Sequence, residues 1–396
     1  MKNIILASGG TGGHIFPAES LAAELKARGY NPVLITDKRY QNYKSDCVNL
    51  ETHIINTGTF GSGLINKFKA GASIISGYFE ARSLLKKYKP EVVIGFGGYP
   101  SFPTMYAAVN SGYKTILHEQ NSMLGRTNDF LAGKVDRIAT SFDDVSGLEE
   151  DDMGKVVLTG NPVRPAIKTL REMPYPSLQE NGMLRILVTG GSQGASIFYQ
   201  VIPEAMALLP ADLRKRIRID QQCRAADIDA ARGLYDKIGV SADLATFFSD
   251  IPSRLASSHL LIARSGASTL AELSVAGRPA ILVPYPHAKD DHQTVNANAL
   301  EDAGGGWLMP EGAFSAEALA AKLESFLNLP DTLKDAAEKS KQAGRVDADK
   351  QLADLVEDLI GKKSDSEKKS NNVVAECDMD KKEISSLVDV SELKRA

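Results

Sequence analysis

The stretch Asn3-Ile4-Ile5-Leu6-Ala7-Ser8-Gly9-Gly10-Thr11-Gly12-Gly13-His14 decides the fold of this chain. Within it Ile4–Ala7 is an unbroken apolar run too short for a helix and soon stopped by glycine, the pattern of a strand buried on both faces. Ile15–Ala27 follows with Leu21 and Leu25 at helical spacing. Strand, glycine-rich turn, helix is the opening unit of a doubly wound parallel α/β sheet.

The unit recurs. Val33–Thr36 reads as the next strand, Val92-Val93-Ile94 runs into Gly95-Phe96-Gly97-Gly98-Tyr99-Pro100, and Thr115–Leu117 runs into His118-Glu119-Gln120-Asn121. It restarts near residue 184, with Leu184–Val188, the turn Gly190-Gly191-Ser192-Gln193-Gly194 and a helix over Ala195–Leu209. Leu260–Ala263 then leads into Arg264-Ser265-Gly266-Ala267 and a helix to Ala276, and Ala280–Pro284 reads as a further strand. Between the two series lies the densest proline cluster, Gly160-Asn161-Pro162-Val163-Arg164-Pro165 and Met173-Pro174-Tyr175-Pro176. Each proline fixes its own φ and biases its predecessor to extended backbone, so this segment reads as a linker. The expected organisation is two similar α/β halves facing across a cleft, residues 1–163 and 164–340. Residues 361–396, with eight basic and eight acidic residues and no aromatic side chain, read as a polar tail.

Composition narrows the function. With 396 residues, 46 basic against 50 acidic side chains and a net charge of -4, the chain has no overall positive field to gather nucleic-acid phosphates, and no nucleic-acid partner is expected. Cys47, Cys223 and Cys377 lack metal-ligand spacing, which suits a reducing compartment. No apolar run approaches the ~18 residues needed to cross a bilayer. The protein is expected in the cytoplasm or on a membrane from its cytoplasmic side.

The glycine loops carry the chemistry. Gly9–Gly13 ends at a helix N-terminus, where open N–H groups and the helix dipole suit a diphosphate; a turn needed only for packing is the alternative. It is not the dinucleotide fingerprint, because Ile15 stands where the last glycine of G-x-G-x-x-G belongs. His14 follows it at a positive helix end, which disfavours imidazolium and leaves a neutral ring able to accept a proton, or one that only caps the helix. Gly95–Gly98 and Gly190–Gly194 sit at strand ends, so all three loops should face one cleft. Glu272, one turn into a helix, can hold ribose hydroxyls or cap the helix. The Asp-x-Asp pairs fall in helices or in the tail, and no bound metal is expected. Residues 67–89 carry Lys67, Lys69, Arg82, Lys86, Lys87 and Lys89 against Glu80 alone, interleaved with Phe68, Ile75 and Phe79. That combination fits a helix lying on an anionic membrane, or a core stripe with a solvated basic back.

In this order the motifs resemble one family, the bacterial glycosyltransferases (family 28) that add N-acetylglucosamine to the lipid-linked muramyl-pentapeptide. The resemblance rests on Gly9–His14, Gly95–Pro100, His118–Asn121, Gly160–Arg164, Gly190–Ala195, Arg264–Thr269 with Glu272, and His287 with Gln293 before Asn296, and covers about residues 1–360. It implies a GT-B fold, two Rossmann-like domains with a C-terminal helix (341–360) crossing back to the first. It implies an inverting transfer from UDP-N-acetylglucosamine, held by the second domain, to undecaprenyl-diphosphate muramyl-pentapeptide, giving lipid II at the cytoplasmic face of the inner membrane. Glu272 would bind the ribose; Ser192 and the helix start Ala267, Ser268, Thr269, Leu270 and Ala271 the diphosphate; Gln293 the sugar. Thr11, Gly12, Gly13, Asn121 and Arg164 would reach the donor from across the cleft. Gly9, Gly10, Gly97 and Gly98 would take the acceptor diphosphate, with His14 the candidate base, Glu119 next in line, and the 67–89 patch the membrane contact. Two departures bear on the nucleotide base: Asp220-Gln221-Gln222-Cys223-Arg224 lacks the usual glycine, and Phe248 replaces isoleucine. A nicotinamide oxidoreductase would need the complete fingerprint; another GT-B enzyme, a UDP-N-acetylglucosamine 2-epimerase or a glycolipid synthase, is the related alternative, of which the epimerase would not need the 67–89 patch; and a non-catalytic sugar-nucleotide scaffold would tolerate loss of His14.

Overall fold

A computed structural model of the chain describes residues 1–42, 49–58, 64–191 and 194–361; the side chains of 42, 64–70 and 289 are outside that description. The first sheet holds β1 (Asn3–Ala7), β2 (Asn31–Thr36), β3 (Glu51–Ile54), β4 (Val92–Gly95), β5 (Lys114–Glu119), β6 (Arg137–Thr140) and β7 (Val156–Leu158). Its order is β3-β2-β1-β4-β5-β6-β7, all parallel. The second holds β8 (Leu184–Thr189), β9 (Ile217–Gln222), β10 (Ser241–Ala245), β11 (Leu260–Ala263), β12 (Ala280–Leu282) and β13 (Gly306–Leu308), ordered β10-β9-β8-β11-β12-β13 and again parallel. The two doubly wound sheets bear out the expected fold class.

The order of each sheet reverses beside its first strand, between β1 and β4 and between β8 and β11. Open α/β sheets bind ligands in the crevice at such a switch point. The loops after β1 and β4 are Gly9–Gly13 and Phe96–Gly98; those after β8 and β11 are the Gly190–Gly194 turn and Arg264–Gly266. The glycine loops therefore sit where topology opens the sheets.

Burial explains the strands. Ile4, Ile5, Leu6 and Ala7 are all fully buried, Ile4 and Leu6 on one face of the sheet and Ile5 and Ala7 on the other. The first face is covered by Leu21 and Leu25 of the helix Gly12–Ala27 and by Leu352, Val356 and Leu359 of the helix Ala348–Gly361. The end of the chain thus returns to the first sheet. Arg28 fixes it there, with Nε 2.8 Å from Glu24, Nη1 2.7 Å from Glu357, and a further pair to Asp354. Lys114 Nζ donates to the Leu359 carbonyl at 2.8 Å.

β5 is longer than the apolar run Thr115–Leu117 predicts. It extends through His118 and Glu119, polar residues that are buried because the fold supplies their partners. The edge strands β3, β10 and β13 and the interior strands β6 and β9 give no clear apolar run in the sequence, and the edge strand β7 is the short apolar run Val156–Leu158 before the proline cluster; β9, Ile-Arg-Ile-Asp-Gln-Gln, alternates because only one face of it is covered.

Candidate active site

The first helix begins at Gly12. Thr11 is its N-cap, and the Thr11 carbonyl accepts from both His14 N and Ile15 N at 3.0 Å. Gly12 and Gly13 are left as the first helical N–H groups without an intrahelical partner, open to an anion. Pro17 lies inside this helix and has no N–H for the Gly13 carbonyl four residues back. That carbonyl instead accepts from Ser268 Oγ of the second domain at 3.1 Å. One proline thereby converts a helix carbonyl into a cross-cleft contact.

His14 Nδ1 lies 2.8 Å from Thr11 Oγ1. With Nδ1–H donating to that hydroxyl, Nε2 is the lone pair that remains. The ring rests on both glycine loops of the first domain: a β-carbon on Gly9 would lie 3.3 Å from its Nδ1, and one on Gly98 would lie 3.4 Å from its Cε1. Gly97 and Gly98 also have φ of 75° and 71°, the left-handed region that glycine enters without penalty. Burial, and after it the positive charge of Arg39, lower the His14 pKa to about 4. The direction agrees with the neutral ring expected from the sequence, with burial and Arg39 as its causes rather than the helix end.

Arg39 was not singled out by any motif. It follows β2, with Nε 2.8 Å from Asp37 Oδ2 and its guanidinium over the Tyr99 ring at 5.1 Å. The signal for it was Asp37 at the strand end, followed by a run of charged and polar residues.

Glu119 is not placed as a base. Its Oε1 accepts from Asn121 N at 3.0 Å and Asn121 Nδ2 at 3.1 Å, and its Oε2 from Gly125 N at 3.0 Å and Asn128 Nδ2 at 2.7 Å. Four donors occupy a fully enclosed carboxylate, so it shapes the loop that presents Asn121. His118 is likewise structural, with Nε2 3.0 Å from the Gly160 carbonyl and Nδ1 2.9 Å from Gln120 Nε2; burial lowers its pKa to about 4.

In the second domain the helix Ala267–Ala276 starts after N-cap Gly266. Ala267, Ser268 and Thr269 carry its open N–H groups. Leu270 does not: its N–H donates to the Gly266 carbonyl at 3.1 Å, and its side chain lies in the core. Ala271, further along the same helix, also has its N–H inside the helical ladder and packs beside that core, so both depart from the expected diphosphate set. Gln293 Oε1 accepts from Tyr285 N at 2.9 Å, and its backbone carbonyl accepts from Ser265 Oγ at 2.8 Å. Ser192 lies outside the described residues.

Three contacts join the halves. Arg164, at the start of the second half, grips Glu272 of the same half in a bidentate pair, Nε to Oε1 at 2.7 Å and Nη2 to Oε2 at 2.8 Å, and lays its guanidinium 4.7 Å over the Phe16 ring of the first half. Asn296, fully buried, accepts from Ser122 N at 3.0 Å and Ser122 Oγ at 2.9 Å, and donates to Asn121 Oδ1 at 3.3 Å and the Ser265 carbonyl at 3.2 Å. Ser268 to Gly13 is the third. Arg164, Glu272, Asn121, Ser268 and Gly13, named from sequence for one ligand, are therefore brought together across one cleft. Near the end of β10, Phe248 is buried beneath Arg254 at 3.8 Å while Phe247 is exposed, so Phe247 is the aromatic ring open to a ligand there.

The 67–89 segment falls on one long helix, Leu64–Tyr88. Ile75, Phe79, Arg82 and Lys86 share a stripe at helical spacing, and Phe79 is 52% exposed. Lys87 turns away, donating to the Tyr88 hydroxyl at 3.0 Å. The side chains of Lys67, Phe68 and Lys69 lie outside the described residues. Exposed Phe130, with Lys134 over its ring at 4.4 Å, joins the patch through Phe102, Tyr106 and Tyr78, an aromatic chain the sequence did not reveal. Among the described residues no helix is long and apolar enough to cross a membrane, and no cluster of His, Cys, Asp and Glu has a metal-binding arrangement.

Two facing Rossmann-like domains with open helix N-termini on both walls of the cleft define a GT-B enzyme. Comparison with known proteins narrows this. Residues 4–140 match the glycosyltransferase family 28 N-terminal domain and residues 185–352 the glycosyltransferase family 28 C-terminal domain, and the chain belongs to this family of glycosyltransferases. It is 51% identical over 356 residues to the UDP-N-acetylglucosamine–N-acetylmuramyl-(pentapeptide) pyrophosphoryl-undecaprenol N-acetylglucosamine transferase of Rhodospirillum centenum, covering 90% of this chain and 94% of that one. The crystal structure of MurG from Acinetobacter baumannii superposes with a TM-score of 0.71 at 27% identity, over 90% of this chain and all of that one. A UDP-GlcNAc 2-epimerase from Neisseria meningitidis, solved with UDP-GlcNAc, superposes at 0.61 with 15% identity over 90% of this chain and all of that one, a likeness of fold alone.

Proposed function

We propose that this enzyme transfers N-acetylglucosamine from UDP-N-acetylglucosamine to the C4 hydroxyl of the muramyl sugar of undecaprenyl-diphosphate muramyl-pentapeptide, forming lipid II. The observation that carries the reading is the 51% identity to a transferase of that name across nearly the full length of both chains. The donor would lie against the second domain, its ribose on Glu272 and its diphosphate at the open N–H groups of Ala267, Ser268 and Thr269. Glu272 is held by Arg164, so the ribose must share Glu272 with that guanidinium or displace it. The acceptor oxygen attacks the anomeric carbon as the bond to the UDP oxygen breaks, and the hydroxyl proton passes to His14 Nε2. UDP leaves with the bonding pair, and the configuration inverts. Arg164 and the helix N-terminus supply positive charge for the leaving diphosphate, so the reaction is assigned no bound metal.

The acceptor's polyprenyl chain stays in the bilayer. The exposed stripe of Phe79, Arg82 and Lys86 with Phe130 and Lys134 is assigned to the anionic surface of the cytoplasmic face, which makes the enzyme peripheral.

The test is transfer of radiolabelled N-acetylglucosamine from UDP-N-acetylglucosamine to the lipid-linked acceptor, with and without chelator. Labelled disaccharide-lipid is expected in both arms. Epimerised UDP-sugar without transfer would instead establish the epimerase reading, and activity lost with chelator would require a metal.

A further inference from the structure

We propose that Arg39 is a binding residue for the acceptor's diphosphate, the cation of an anion site whose walls are the Gly9–Gly13 and Gly95–Gly98 loops. The inference rests on the reading that the first domain takes the lipid-linked acceptor. Two glycine loops offer backbone N–H groups to a diphosphate and the neutral His14 only a lone pair, and neither loop carries a cationic side chain. Arg39 supplies one at the point where the loops meet. On one side Gly10 lies directly against it: a β-carbon there would come 2.0 Å from Asp37 Oδ1 and 2.7 Å from Arg39 Cβ. On the other side its guanidinium covers Tyr99, the residue after Gly98.

The side chain is held for such a task. Buried Asp37 accepts from Arg39 Nε at 2.8 Å and from the Arg39 backbone N–H at 3.1 Å, which fixes the stem. Among the described residues the two terminal nitrogens have no hydrogen-bond partner, and the side chain is 38% exposed. The Asp37–Arg39 pair is formally neutral, so its attraction is short-range. What it presents is an oriented edge of N–H donors, the form in which arginine recognises phosphate oxygens.

The placement also links acceptor binding to the base. The groups facing His14 are Thr11 on its own helix, Arg39 after β2, His118 on β5 and the uncharged glycine loop after β4. A general base works best when its pKa lies near the working pH. A diphosphate on Arg39 brings negative charge beside His14 and offsets the cation that disfavours its protonation. His14 would become a stronger base when the acceptor is seated.

The test uses the full-length enzyme, its Arg39→Gln and Arg39→Lys variants, and farnesyl diphosphate as probe, with UDP as control. Arg39→Gln is expected to raise the acceptor Michaelis constant and the farnesyl diphosphate dissociation constant by about 10- to 100-fold, the range for losing a hydrogen bond to a charged group. UDP binding should stay within about twofold, and Arg39→Lys should recover part of the loss. The acid limb of the kcat/KM profile, which reports the free enzyme's base, should move to higher pH in Arg39→Gln; a purely structural residue would not move it. Unchanged acceptor and probe constants in Arg39→Gln overturn the proposal. If that variant does not fold, Arg39→Lys decides, since an acceptor constant equal to wild type overturns it and one raised severalfold supports it. If wild type itself neither binds farnesyl diphosphate nor distinguishes acceptors with and without the diphosphate, the acceptor reading of the first domain fails instead.

Discussion

At the scale of the residue, Glu272 shows how one carboxylate can serve two partners. Its two oxygens are filled by Arg164, whose guanidinium also lies over Phe16 of the first domain. In the proposed donor complex the ribose hydroxyls would compete for the same oxygens. Both side chains are only partly exposed, 14% for Glu272 and 26% for Arg164, so neither is well solvated when alone. Glu272→Ala is expected to raise the donor Michaelis constant by about one to two orders of magnitude, from a charged hydrogen bond of about 1.5–3 kcal/mol. Steady-state kinetics with saturating acceptor measures it. An unchanged constant in a folded variant would leave Glu272 as a latch between domains and nothing more.

The elements themselves carry a pH dependence. β5 carries His118 next to its last residue, and the turn into β11 carries His259, whose Nδ1 accepts from Arg185 N at 3.0 Å. Burial lowers both pKa values from 6.5 to about 4. Between those values the unfolded chain binds protons at these sites and the folded chain does not. Stability from these two groups is therefore complete above pH 6.5 and falls as pH drops toward 4, by up to about 1.4 kcal/mol per pH unit for each histidine. Urea unfolding at a series of pH values should show this slope, and His118→Gln should flatten it by one histidine's share even if it also lowers stability throughout. A slope identical in wild type and variant would mean that His118 is protonated in the folded protein.

For the whole molecule the question is how a cleft enzyme reaches a substrate anchored in lipid. The stripe Ile75, Phe79, Arg82 and Lys86 and the exposed Phe130 with Lys134 combine apolar area with positive charge on one face of the first domain. Each basic group near an anionic surface contributes roughly 1 kcal/mol and is screened by salt, while the aromatic contribution is not. Co-sedimentation with anionic vesicles is expected at low salt, with partial release at high salt. Phe79→Ser with Phe130→Ser should remove the salt-resistant fraction, and Arg82→Glu with Lys86→Glu the salt-sensitive one, both without loss of UDP binding. Vesicle binding equal to wild type in all four substitutions together would move the membrane contact elsewhere.

The fold was legible in the sequence because buried parallel strands must be apolar throughout and glycine must follow where backbone meets a ligand or another loop. Those constraints act on consecutive residues, so Asn3–Gly13, Val92–Gly98 and Leu184–Gly194 could each be read locally. The residues proposed for the donor could be named for the same reason: Arg164 and Glu272, 108 positions apart, each stand in a recognisable local motif. Only the tertiary structure decided what those residues face. It turned Leu270 into the core, filled Glu119 with four donors, and placed Arg39 against two loops whose motifs do not include it. It set Phe130 beside Phe79 through an aromatic chain assembled from three helices. Partners of this kind are chosen by packing between elements distant along the chain, and hydrogen bonds and burial, unlike periodicity, leave no mark on neighbouring positions.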